Sequence, residues 1–105
     1  MSETAEYYVK LRSKYPDRVP VIVESTALKL SKSKFLVPKD LTIGQFLYVV
    51  RKTYVGDPKD IETKAYYFLV NRSLLRHSEQ FNEIDDRYAE GGVVRLNMCG
   101  ENTFG

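Results

Sequence analysis

Residues 34–52 read KFLVPKDLTIGQFLYVVRK, and the spacing of the apolar residues changes within this stretch. KFLVP is short, apolar and closed by a proline, which predicts a strand over residues 34–38. After Thr42, a good N-cap, apolar residues fall at positions 43, 46, 47, 50 and 54. This spacing predicts one apolar face of a helix about three turns long, closed near Gly56. The pattern indicates a helix that packs on one face of a sheet.

The segments on either side supply the remaining elements. A short helix is predicted over residues 2–15, before Pro16, and VPVIVE at residues 19–24 predicts a strand. AYYFLV at residues 65–70 predicts a further strand. Phe81 and Ile84 indicate a short helix, after which Gly91-Gly92 turn the chain into a last strand, VVRLNM.

This order of elements is that of an α+β fold, the ubiquitin-like β-grasp. We expect a four-stranded mixed sheet with a packed central helix and one short N-terminal helix. Residues 1–105 are predicted to form a single ubiquitin-like domain, since the chain has no internal repeat and no linker. Its apolar share of 43% and charged share of 29% are typical of a folded globular protein.

Charge is spread unevenly along the chain. Residues 1–56 hold ten Lys and Arg against five Asp and Glu, whereas residues 57–105 hold six against nine. The basic front half could meet an acidic partner, or it could simply be a solvated surface. No basic cluster is interleaved with aromatic residues, so we expect no nucleic-acid partner. No apolar run is long enough to span a membrane, and the N-terminus lacks the pattern of a secretory signal.

The sequence offers no catalytic or metal-ligating constellation. Cys99 is the only cysteine and His77 the only histidine, so neither a zinc site nor a catalytic dyad is supported. His77 is predicted to lie in a solvated loop. Asp85 and Asp86 are adjacent and are predicted to be simply exposed. We therefore expect no cofactor and no metal, and a protein that is a substrate of enzymes and not itself an enzyme.

The chain ends MCGENTFG, with an aromatic residue directly before Gly105. From the residues alone, either this end point is arbitrary or the terminal carboxylate is itself a reacting group. Four motifs bear on the choice: KYPDRVPVIVE at residues 14–24, the stretch at residues 34–52, FLVN at residues 68–71 and GENTFG at residues 100–105. Together they resemble the GABARAP and light-chain-3 family of ubiquitin-like autophagy modifiers. The resemblance is dense over residues 14–54 and thin over residues 72–99.

The resemblance implies a role for the C-terminus. In that family a cysteine protease cuts after the glycine that follows an aromatic residue. Ubiquitin-type activating and conjugating enzymes then pass the carboxylate to the amine of phosphatidylethanolamine. Gly105 is the implied conjugation residue and Phe104 the implied recognition residue, within a flexible conjugation tail at residues 100–105. Glycine suits this chemistry because it has no side chain to block an attacking amine. The implied location is the cytoplasm, and the autophagosome membrane after lipidation.

The resemblance also implies capture of autophagy receptors that carry an aromatic-x-x-aliphatic motif. An extended peptide can add a strand to a sheet edge, and its key side chains then need pockets on both sides of that edge. A first pocket, for the aromatic residue, is implied at Leu11, Pro20, Ile22, Lys34 and Leu36. A second pocket is implied at Phe35, Val37, Pro38, Leu41, Phe46 and Val49. Arg18, Lys32 and Arg51 are expected to meet acidic or phosphorylated residues beside the motif.

Three features depart from the family pattern. About ten N-terminal residues are absent by comparison, so we expect the first of the family's two N-terminal helices to be missing, with its membrane and tubulin contacts. Tyr7 and Tyr8 replace an acidic and a small residue, and two rings could narrow the first pocket. Val93, Val94 and Arg95 stand where the family carries an aromatic pair, which could enlarge that pocket.

Other functions stay open from the sequence. The chain could be a peptide-binding or trafficking adaptor of the same fold that is never lipidated. It could instead be a modifier joined to a protein lysine. Microtubule binding is a further alternative, although the basic N-terminal extension that it would use is missing.

Overall fold

The fold is built from three helices and five strands in the part of the chain that the computed structural model describes, residues 2–25, 28–56 and 66–100. The elements follow one another in the order α1 (Ser2–Lys14), β1 (Arg18–Glu24), β2 (Lys34–Pro38), α2 (Ile43–Arg51), β3 (Tyr66–Val70), β4 (Ser73–Leu74), α3 (Phe81–Tyr88) and β5 (Val94–Gly100).

The strands form one mixed sheet in the order β2-β1-β5-β3-β4. β1 runs parallel to β5, and every other neighbouring pair is antiparallel. The parallel neighbours β1 and β5 come from opposite ends of the described chain. β2 lies at an edge of the sheet. The predicted α+β architecture of a ubiquitin-like β-grasp is confirmed.

Several boundaries differ from the prediction. The sheet has five strands and not four, because β4 is only two residues long and gives no alternating pattern to detect. α2 ends at Arg51, so Tyr54 packs on the core from the following turn and not from the helix. β5 continues through Gly100, which was assigned to the tail but pairs with Tyr66.

The core lies between one face of the sheet and helices α2 and α3. On β1 the inward residues alternate, and Val19, Val21 and Val23 are all buried. Phe46 of α2 stands at the centre of the core. Its ring centroid lies 5.2 Å from that of Phe35, 5.6 Å from Phe68 and 5.0 Å from Phe81. These distances are those of favourable aromatic pairs.

The start of α2 is fixed by a reciprocal cap. The backbone N–H of Gln45 donates to the Thr42 hydroxyl at 3.2 Å, and the N–H of Thr42 donates to the Gln45 side chain at 3.0 Å. Thr42 was predicted as the cap, and Gln45 completes a capping box that such a Thr-x-x-Gln sequence favours. The cap sets the register in which Ile43, Phe46 and Val50 face the core.

α1 packs against β1. The outward residues of β1 and β2, among them Pro20 and Leu36, lie on the sheet face opposite the core because side chains alternate along a strand. The candidate site is formed on this second face.

Candidate functional site

The outer edge of β2 pairs with no other strand among the described residues. Its backbone is open at Leu36, which lies opposite Pro20 in the ladder with β1. The Leu36 carbonyl accepts from the Arg18 guanidinium, at 3.4 Å in a solvent-exposed position. Arg18 is thus placed at the edge where an added strand would dock.

A cavity of about 290 Å³ opens between α1 and the β1–β2 hairpin. Its lining combines two phenol rings, two lysines and apolar side chains. The lining residues are Tyr7, Tyr8, Leu11, Pro20, Val21, Lys32, Lys34, Phe35 and Leu36. A largely apolar cleft with a few polar groups at its mouth is the usual form of a ligand site.

The structure brings most of the predicted first-pocket residues together at this cavity. Leu11, Pro20, Lys34 and Leu36 all line it. Ile22 shares the outward face of β1, where it pairs with Lys34, but it is not among the lining residues. Lys32 was predicted to meet acidic flanking residues and is part of the cavity wall itself.

The residues assigned to the second pocket divide into two groups. Phe35, Val37 and Phe46 are only 9%, 2% and 1% exposed, so their side chains belong to the core. All three face α2, and close packing leaves them little surface, so their assignment to a peptide pocket stays a prediction. Pro38 and Leu41 are half-buried, and Val49 is 41% exposed on the outer side of α2. Arg51 is half-buried in the last turn of that helix.

Tyr8 provides the wall of the cavity on the α1 side. It is 5% exposed, whereas Tyr7 beside it is 55% exposed and its ring meets the Tyr8 ring edge-on at 5.1 Å. The chain passes close to α1 at Gly92, where a Cβ atom would lie 2.9 Å from the Tyr8 Cβ. Gly92 also has a φ of +85°, which L side chains rarely adopt. Its conformation and its lack of a side chain both allow α1 to pack closely here.

Arg12 ties α1 to α3. Its guanidinium donates to both carboxylate oxygens of Asp85, at 2.6 and 2.9 Å, and its Nε donates to the Gly92 carbonyl at 2.7 Å. The hydrogen bonds to Asp85 raise the pKa of Arg12, although partial burial opposes the shift. We call Arg12, Asp85 and Gly92 the α1 clamp. The expectation that Asp85 is simply exposed is wrong, because only 11% of its side chain is accessible.

Sequence reasoning missed the α1 clamp, although a signal was present. Phe81, Ile84, Asp85 and Tyr88 follow an i, i+3, i+4, i+7 spacing, which places Asp85 beside the buried stripe of α3. An acid in that position requires a partner or a hydrogen-bond donor. Arg12 lies one helical turn after Tyr8 and so shares its face of α1.

The remaining candidates lie apart from this cavity. Phe104 and Gly105, with the rest of the predicted tail after residue 100, lie outside the described residues. Val93 and Val94 are buried, and Arg95 is exposed. His77 is exposed, as predicted. Within the described ranges, no three His, Cys, Asp or Glu residues are grouped to hold a metal ion. In the same part of the chain, no helix has the length and apolar character needed to cross a bilayer.

Comparison of the sequence with known proteins identifies close relatives. The family model described as autophagy protein Atg8, ubiquitin-like, matches residues 4–105. Autophagy-related protein 8e of Arabidopsis thaliana is 42% identical over 101 residues, which cover 91% of this chain and 80% of that protein. Autophagy-related protein 8 of Dictyostelium discoideum is 39% identical over 110 residues, with 100% of this chain and 88% of the relative covered.

Solved structures agree with the sequence comparison. The crystal structure of Trypanosoma brucei ATG8 superposes with a TM-score of 0.81 at 34% identity, covering 99% of this chain and 90% of that one. Plasmodium falciparum Atg8, solved in complex with a Plasmodium falciparum Atg3 peptide, gives a TM-score of 0.79 at 22% identity, covering 96% of this chain and 90% of that one. At that lower identity the likeness supports the fold alone.

Proposed function

The chain belongs to the Atg8 family of ubiquitin-like autophagy proteins, and from this premise we propose that it is a membrane-conjugated modifier. In this proposal Gly105 is joined through its carboxylate to phosphatidylethanolamine, after the enzymes recognise Phe104. The modified protein then recruits receptors with aromatic-x-x-aliphatic motifs to the autophagosomal membrane. The chain is a ubiquitin-like protein and not an enzyme.

The proposal is finer than family membership in three respects. It gives the chain the chemistry of the GABARAP and light-chain-3 branch. It names a processing cysteine protease and ubiquitin-type activating and conjugating enzymes as partners. It also treats residues 1–105 as one domain with a conjugation tail. The protein is then cytoplasmic before lipidation and bound to the autophagosome membrane afterwards.

One observation carries the peptide-binding part of the proposal. The unpaired edge of β2 lies directly beside the cavity lined by Leu11, Pro20 and Leu36. Main-chain hydrogen bonds along a sheet edge give affinity, and a pocket for alternate side chains gives specificity. A peptide strand on β2 could therefore place its aromatic side chain in the cavity.

Conjugation is tested with purified components. The protein is incubated with activating and conjugating enzymes, ATP and liposomes that contain phosphatidylethanolamine. We expect a band of shifted mobility that floats with the liposomes and is absent when Gly105 is deleted. A family member known to convert serves as the positive control. If it converts and this chain does not, the modifier proposal fails.

Peptide binding is tested with a matched pair of leucine variants. Leu36 of β2 lines the cavity, whereas Leu74 lies on β4 at the opposite edge of the sheet and is highly exposed. Leu36→Glu should weaken binding of a Phe-x-x-Leu peptide about tenfold or more, since it removes apolar contact at the centre of the interface. Leu74→Glu should leave binding unchanged. Equal effects of both variants would contradict docking at β2.

A second candidate function is a non-lipidated adaptor of the same fold. The observation in its favour is that the β2 edge and the described residues of the cavity wall lie within residues 7–38. The two assays separate the candidates. Peptide binding without any conjugation would establish the adaptor.

A further inference from the structure

The charged side chains among the described residues of the cavity wall are all positive. Lys32 and Lys34 line it, and no Asp or Glu stands among the described residues of its wall. Both lysines are exposed, so their ammonium groups are accessible to solvent. The Lys32 Nζ lies 4.8 Å from the centroid of the Phe35 ring, a cation–π contact with another residue of the cavity lining.

The remaining groups of the wall suit a ring. Leu11, Pro20 and Leu36 contribute apolar surface, and the ring of Tyr8 adds an aromatic wall. Tyr7 stands at the exposed side of the cavity and brings a neutral phenol to it. The described wall is therefore largely apolar and aromatic, and its charged side chains are both positive.

Lysines beside the cavity would distinguish aromatic ligands by the oxygen atoms that the ring carries. A lysine ammonium donates hydrogen bonds and accepts none. The phenylalanine ring has no hydrogen-bond acceptor oxygen for this ammonium, whereas the tyrosine hydroxyl has one. A phosphotyrosine offers three acceptor oxygens and a charge of about −1.5 to −2 at pH 7. A carboxylate in the wall would repel that phosphate, and none is present among the residues described there.

We propose that the cavity beside β2 prefers tyrosine to phenylalanine at the aromatic position of the peptide, and that it binds phosphotyrosine more tightly than either. This specificity rests on the peptide-binding function proposed above and names its ligand class. Phosphorylation of a partner's tyrosine would then strengthen docking on this protein.

The test uses one synthetic peptide in three forms. The peptide carries an aromatic-x-x-Leu motif without acidic residues, and the aromatic position is Phe, Tyr or phosphotyrosine. Dissociation constants are measured with the whole chain by calorimetry, at low and at physiological salt. We expect phosphotyrosine to bind roughly three- to tenfold more tightly than tyrosine, as charge-assisted hydrogen bonds allow. The advantage should shrink as salt rises, since the lysines are exposed.

Charge variants identify the source of the preference. Lys32→Gln and Lys34→Gln should reduce the affinity ratio of phosphotyrosine to tyrosine toward one. Lys39→Gln is the matched control, because Lys39 is an exposed lysine just after β2 that does not line the cavity. Tyr7→Glu should invert the ratio, since it puts a carboxylate at the cavity, and the exposed position of Tyr7 tolerates the change.

The outcomes separate this inference from the function on which it rests. If the Phe peptide binds and phosphotyrosine binds more weakly than tyrosine, the inference is wrong and the peptide-binding function stands. If the ratio exceeds one but Lys39→Gln lowers it as much as Lys32→Gln does, the preference is general attraction and the cavity is not its source. If none of the three peptides binds, the peptide-binding function itself fails.

Discussion

At the residue scale, Phe46 is the most informative side chain of the core. The resemblance assigns it to a peptide pocket, yet it is 1% exposed and contacts three other aromatic rings. We expect Phe46→Ala to lower the free energy of unfolding by about 3–5 kcal/mol, because it removes a large buried ring and leaves a cavity. Urea denaturation monitored by circular dichroism measures the change.

Val49 is the matched control for Phe46 on the same helix. It was assigned to the same pocket but is 41% exposed. Val49→Ala should change the free energy of unfolding by only about 0.5 kcal/mol, as is usual for a surface site. If both variants cost the same, Phe46 does not anchor the core.

At the scale of elements, the α1 clamp determines how the N-terminal helix is held. Arg12→Ala removes the bidentate bond to Asp85 and the bond to the Gly92 carbonyl. We expect it to lower the free energy of unfolding by about 1.5–3 kcal/mol, since the lost hydrogen bonds involve charged, partly buried groups. Faster hydrogen exchange at α1 amides than in the sheet would locate the loss in the helix.

Two controls separate the geometry of the α1 clamp from its charge. Arg12→Lys keeps the positive charge but cannot form the planar fork, so it should lose much of the stability that Arg12→Ala loses. The pKa of Arg12 is higher in the folded protein than in the unfolded chain, so the charged guanidinium stabilises the fold. This stabilisation is fully present below the unfolded pKa and is lost only as the pH rises through the folded pKa. The effect of Arg12→Ala should therefore not fall as the pH rises from about 6 to about 10. A steep fall within that range would contradict the role given to Arg12.

At the scale of the whole molecule, the elements that could be predicted from sequence are those with a clear period and a clear boundary. α2 has both, since its apolar spacing follows the helical repeat and Thr42 marks its start. β1 is likewise marked by a run of β-branched residues. β4 could not be predicted because two residues carry no period, and its position depends on pairing with β3.

The candidate site was predictable on the side that faces away from the core. Lys34 and Leu36 alternate with Phe35 and Val37, and this alternation places the first pair on the α1 face of the sheet. The depth at which Phe35 and Val37 are buried depends on how α2 packs on them. The periodicity of the strand does not predict that packing. The contact of Arg12 with Asp85 joins residues 73 positions apart, so no local pattern determines it.

The position of β5 has a mechanical consequence. It is flanked by β1 on one side and β3 on the other, and residues 101–105 continue directly from its end. A protein tethered to a membrane through Gly105 would carry any pulling force along this strand. Force along the strand loads the hydrogen bonds of both neighbouring ladders together, in shear, whereas an edge strand has only one ladder to carry the load. With Gly105 as the tether, two ladders of the sheet would share that force.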